Sequence, residues 1–128
     1  MQLGYVIIFV KNVPETLAFY EKAFKLKTLF LAESLLYGEL ETGNTKLAFV
    51  DEKFVESNGA DFTTNRASHK AAGFEIALTT TEVASSYQYA LAAGCTSVKA
   101  PYQTDWGQTV AQLRDMNGIL VEICSPLG

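Results

Sequence analysis

An α+β fold built from two βαβββ modules is what the sequence predicts, and three observations carry the prediction. The chain has 128 residues, 48% hydrophobic and 19% charged, which suits a folded domain with a real core. Two stretches share one order of strand, helix, strand, strand, strand. Their helices also share an apolar stripe in register. Adding 70 to the residue number carries Tyr5 to Glu75, Val13 to Val83, Leu17 to Tyr87, Tyr20 to Ala90 and Phe24 to Gly94. Adding 74 carries Leu47 to Val121 and Ala48 to Glu122, just after the turns Gly43-Asn44 and Asn117-Gly118.

Each element has its own signal. Tyr5 to Val10 is a run of β-branched and aromatic residues, the pattern of a buried strand. Asn12-Val-Pro14 opens a helix, with proline near the first position, where its missing N–H costs little. Val13, Leu17, Tyr20 and Phe24 then form one stripe. Strands are expected over Lys27 to Leu31, Ser34 to Leu40 and Thr45 to Val50, with a turn at Glu41-Thr-Gly-Asn44. The mostly polar stretch 52–72 reads as a linker, with one helical turn near Lys53 to Glu56. The pattern restarts after Gly73: a strand over Phe74 to Thr79, then a helix whose stripe is Val83, Tyr87, Ala90 and Gly94, where Gly94 also suits a C-terminal stop. Thr96 to Ala100 is expected as a strand and Pro101 to Trp106 as a loop. Gln108 to Arg114 and Ile119 to Cys124 are strands around the turn Asp115-Met-Asn-Gly118. The organisation expected is thus one domain over 1–128, with a first module at about 1–51 and a second at about 73–126.

Composition excludes several functions. The formal charge of −4 lacks the basic clusters that nucleic acid requires, and it favours neutral or cationic partners. The apolar run Tyr5 to Val10 is far short of the ~20 residues that a membrane helix needs, and no signal-peptide pattern follows it. Two cysteines, Cys95 and Cys124, make no disulfide framework and no CxxC motif, as expected of free thiols in the cytoplasm. The single histidine, His69, falls in the linker, so one chain cannot build a site from two imidazoles. No phosphate-binding glycine loop and no G-x-S-x-G elbow is present.

Two stretches are more specific. Val10-Lys-Asn-Val-Pro-Glu-Thr-Leu-Ala-Phe-Tyr20 resembles a strand-to-helix signature ending in Phe-Tyr, and Trp106 to Glu122 resembles a closing hairpin around an Asp-Pro-Asp-Gly type of turn. With the two βαβββ halves, these resemble the vicinal oxygen chelate superfamily, which contains glyoxalase I, bleomycin and fosfomycin resistance proteins and extradiol dioxygenases. The resemblance implies curled sheets around a cavity, helices on the outer faces, and a homodimer. It does not by itself give a function.

Strand alternation then says which residues share a face. If Val6, Ile8 and Val10 pack under the helix, Tyr5, Ile7 and Phe9 face the implied cavity. By the repeat Glu75, Ala77 and Thr79 face it too, as do Glu122 and Cys124 on the last strand and Gln112 and Arg114 on its partner. Members resembling glyoxalase I place metal ligands at positions matching Tyr5, Ala48, Glu75 and Glu122 here. Alanine supplies nothing, so no metal and no cofactor are expected.

The candidate catalytic residues are Glu75 and Glu122, carboxylates within apolar strands, which are either cavity groups or residues of a solvated sheet face. The candidate ligand-binding residues are Tyr5, Trp106, Gln112, Arg114, Tyr37 and Tyr102. Tyr5 is either a ligand contact or an ordinary strand residue. Trp106 stands either at a cavity mouth or as a lid over the core. Gln112 and Arg114 either meet a ligand or pair with the glutamates. The function expected is binding or sequestration of a small organic molecule, a cation by the charge argument, such as an antibiotic or a metabolite. The alternative is a lyase or isomerase resembling glyoxalase I, with Glu75 or Glu122 as general base.

Overall fold

The computed structural model describes residues 1–127. The chain folds as two compact units, one from Met1 to Asn65 and one from Arg66 onward. Each is a four-stranded sheet carrying helices, so the α+β fold and the duplicated βαβββ order are as the sequence predicts.

The first unit runs β1 (Tyr5–Val10), α1 (Val13–Phe24), β2 (Thr28–Leu31), β3 (Tyr37–Leu40), β4 (Lys46–Asp51) and α2 (Glu52–Ser57). Its sheet order is β1-β4-β3-β2, with β1 parallel to β4 and the other pairs antiparallel. Asn12 caps α1: its side-chain oxygen accepts from the Glu15 N–H at 2.9 Å, which satisfies one of the helix's orphan donors. Val13, Thr16, Leu17, Tyr20 and Ala23 are the buried residues of α1. Ala23 thus takes the inward place expected of Phe24, which is half-buried and lies 5.2 Å from the Tyr20 ring, centroid to centroid. The helix packs on the face that carries Ile8, Gly38 and Phe49, as the 5.1 Å approach of the Tyr20 and Phe49 rings shows. Gly38 permits this: a Cβ there would lie 2.5 Å from Leu17 Cδ1.

The second unit runs β5 (Glu75–Thr79), α3 (Val83–Ala92), β6 (Thr96–Gln103), β7 (Thr109–Arg114) and β8 (Leu120–Cys124). Its sheet order, β5-β8-β7-β6, repeats the first. Even the register repeats: Tyr5 pairs with Lys46 as Glu75 pairs with Leu120, and Glu39 pairs with Ala48 as Gln112 pairs with Glu122. Val83, Tyr87 and Ala90 are the buried stripe of α3. The Tyr87 hydroxyl meets the Ser97 hydroxyl at 2.7 Å, fixing the helix to β6.

Three local expectations need correction. Pro101 to Gln103 continue β6 instead of forming a loop. Proline has no N–H for a ladder, but β6 is the edge strand and its pairing shifts register between Lys99 and Tyr102, so no bond is lost there. The third strand begins at Tyr37, not Ser34, because Leu35 takes a left-handed conformation (φ 65°) in the turn that precedes it. Gly94 lies beyond α3 and outside its stripe; at φ 117° it takes the other place expected of it, as the helix stop.

Candidate functional site

The face of the second unit's sheet away from α3 collects the polar residues. Ile76, Val121 and Leu113 lie in register on the α3 side with Ser97, so alternation puts Glu75, Glu122, Cys124, Gln112 and Val110 on the other side. β8 is flanked by β5 and β7. Across it, Gln112 Nε2 donates to Glu75 Oε1 at 2.7 Å. A carboxylate only accepts, so this bond sets the amide's orientation and leaves Gln112 Oε1 as an acceptor. Glu122 is the register partner of Gln112 and sits two residues before Cys124. Burial pushes the Cys124 thiol above its ordinary pKa, and the Glu122 charge, the Glu122 hydrogen bond and the Glu75 charge push the same way. Both carboxylates therefore act on this one stretch of sheet.

Lys99 and Tyr102 stand beside this group on β6, opposite Gln112 and Val110. Lys99 Nζ lies 3.8 Å from the centre of the Tyr102 ring, which engages its charge with the aromatic face. Arg114 turns away from the glutamates. Its guanidinium donates to the backbone oxygens of Gly118 (2.9 Å), His69 (2.7 Å), Ala67 (3.3 Å) and Arg66 (3.3 Å). Those bonds take four of its five N–H donors. Trp106 lies in the turn between β6 and β7 and is 68% exposed. Its indole N–H donates to Gln108 Oε1 at 2.9 Å, and Gln108 Nε2 donates to the Ser125 carbonyl at 2.7 Å.

In the first unit Tyr5 and Tyr37 occupy the face away from α1, where Tyr5 pairs with Lys46 and Tyr37 with Val50, four residues further along β4. Tyr5 is 55% exposed. The Tyr37 hydroxyl donates to Glu39 at 2.7 Å, and burial, followed by that bond and the Glu39 charge, holds its proton on well above the usual range. Ala48, fully buried, stands where Glu122 stands in the second unit. Sequence reasoning missed Glu39, the counterpart of Gln112, and also Lys99 and Gln108. An offset of 73 relates Glu39 to Gln112, and carrying the repeat through the third strand would have exposed that pair.

The donor set does not suit the metal centre found in some proteins of this fold. Tyr5 and Ala48 replace two of the four matching positions, and alanine has no donor atom. Among the described residues no group of three or more His, Cys, Asp or Glu is placed to hold a metal ion. None of their helices is long and apolar enough to cross a membrane.

Comparison with solved structures gives the same architecture. A glyoxalase-related enzyme from Fulvimarina pelagi matches with a TM-score of 0.83 at 17% identity, over 98% of this chain and 88% of that one. A glyoxalase/bleomycin resistance protein/dioxygenase family enzyme from Burkholderia phytofirmans PsJN matches with 0.73 at 25% identity, over 99% of this chain and 100% of that one. TioX from Micromonospora sp. ML1 matches with 0.72 at 17% identity, over 99% and 100%. Comparison with curated protein sequences gives no match. The family model for the glyoxalase/bleomycin resistance protein/dioxygenase superfamily matches residues 2–123, and the chain belongs to that superfamily.

Proposed function

We propose that the protein binds and sequesters a small organic cation on the face of its second unit's sheet away from α3. The observation that carries this reading is the Gln112–Glu75 bond across β8, with Glu122 in register beside it. It supports a site built of acceptors: the remaining oxygen of Glu75, Gln112 Oε1 and the Glu122 carboxylate. A ligand with several N–H donors and a positive charge would satisfy them, and the chain's net charge of −4 adds a favourable field. On the same unit Tyr102, whose ring Lys99 engages, and Trp106 in the turn after β6 are the aromatic contacts of this reading. Arg114 enters it through the backbone it holds.

Two further statements belong to the reading. A twofold homodimer is supported by the exposed side chains of Tyr5 and Ile7 on the first unit's face away from α1, and by the unpaired sheet edges. A cytoplasmic setting is supported by two unbridged thiols.

The test is a thermal-shift screen of antibiotics and metabolites bearing ammonium or guanidinium groups, followed by calorimetry on the best. A ligand at 100 times its Kd raises stability by about 2.7 kcal/mol. Glu122→Gln should weaken a cation at least tenfold and leave neutral analogues unaffected. Equal binding of charged and neutral analogues, or unchanged affinity in Glu122→Gln and Glu75→Gln, overturns the reading. Turnover of a bound carbonyl compound, lost in either variant, would support proton abstraction by a glutamate in its place. Light scattering at micromolar concentration reads the dimer.

A further inference from the structure

The residues that join the two units, 58–74, form neither helix nor strand. Within them, three backbone oxygens point at one side chain. Arg114 Nη2 donates to the His69 carbonyl at 2.7 Å and to the Arg66 carbonyl at 3.3 Å, and Nη1 donates to the Ala67 carbonyl at 3.3 Å. Nε donates at 2.9 Å to the carbonyl of Gly118, in the turn that links β7 to β8. The guanidinium therefore bridges a turn of the second unit's own sheet to a stretch of chain 45 to 48 residues away in sequence. The fit is close: a Cβ at Gly118 would run into Arg114 Nη2 and into the carbonyl oxygen of Arg66. Gly118 also has φ 82°, which favours glycine on its own.

We propose that Arg114 is a clasp that makes residues 66–69 a fixed strap, and that the strap opens as a local unit when the clasp is lost. Arg114 holds the strap through a side chain and not through a β-ladder, so releasing it sacrifices no sheet bond. The bonds are charge-assisted and share one planar group, so they form and break together. Lysine carries the same charge but presents it as a point and cannot reach four carbonyls in one plane. Residues 70–74 separate the strap from β5, whose first residue is Glu75.

Trypsin tests this, because one cleavable bond lies in the strap, after Arg66, and another just beyond it, after Lys70. Wild type, Arg114→Lys and Arg114→Ala are digested under native conditions, and cleavage after each basic residue is timed by mass spectrometry. Cleavage after Arg66 and Lys70 should be at least tenfold faster in Arg114→Ala and several-fold faster in Arg114→Lys. Cleavage after Lys22 and Lys99, outside the strap, should change less than twofold. A tenfold rise corresponds to about 1.4 kcal/mol of lost closure. Strap cleavage within twofold of wild type overturns the proposal. Equal acceleration at every site overturns it too, since that is global destabilisation. Should Arg114→Ala fail to fold, Arg114→Lys alone carries the comparison, against the same controls.

Discussion

Asp115 sits in the turn between β7 and β8 and is 3% exposed. Its Oδ1 accepts from the Asn117 N–H at 2.8 Å and from the Ile119 N–H at 2.9 Å. Both of those residues are buried as well. Asp115→Ala removes the acceptor and strands two N–H groups where water has little access. Each stranded donor costs about 1–3 kcal/mol, so the variant should lose about 4 kcal/mol. For a chain of this size that lowers Tm by roughly 15 °C. Asp115→Asn behaves differently, because an amide oxygen in the Oδ1 position still accepts both bonds. The two bonds at Oδ1 survive, so the cost should fall well below that of Asp115→Ala. Urea denaturation of the two variants followed by far-ultraviolet circular dichroism gives both numbers. Equal losses in the two variants would show that the turn depends on the charge and not on the shared oxygen, and would refute the reasoning.

Three other outcomes are expected. Burial, reinforced by the Asp115 charge, pushes the Cys95 thiol from its ordinary value of 9.0 up to about 12. The unfolded chain therefore loses this proton first, and the stability it supplies is complete below pH 9 and is lost as pH rises toward 12. Urea midpoints at a series of pH values above 9 should fall in wild type and fall less in Cys95→Ala. Gly38→Ala should cost about 1–2 kcal/mol, because the new methyl meets Leu17 Cδ1 at 2.5 Å and Val13 Cγ1 at 3.2 Å in a packed interface; a stabilised variant would contradict the close approach of α1. Cys95 and Cys124 should titrate as two thiols in denaturant without reductant and slowly in the native protein, since both are buried and β7 separates β6 from β8. A count near zero would contradict the strand order.

The duplicated fold was legible because its signals are local or periodic. The stripe Val13, Leu17, Tyr20 and its counterpart Val83, Tyr87, Ala90 give each helix its inward face. Alternation along β7 and β8 correctly groups Gln112 with Glu122. What stayed hidden depends on contacts distant in sequence. No spacing rule says that Arg114 will spend its donors on carbonyls at 66–69, because backbone oxygens carry no sequence label. The bond from Gln112 to Glu75 requires knowing that β8 lies between β5 and β7. Pro101 was misplaced for another reason: its backbone penalty depends on which edge of a sheet it occupies, and strand order is not written in local composition.

The two sheets end in outer strands of very different character. β6 carries Lys99 and Pro101, both of which discourage a further strand from adding. β2, its counterpart, is Thr-Leu-Phe-Leu, with Leu29, Phe30 and Leu31 exposed. Self-association during refolding or concentrated storage should therefore start at β2 and spare β6. A lysine in place of Leu29 would be the first substitution to make in preparing the protein for long measurements in solution.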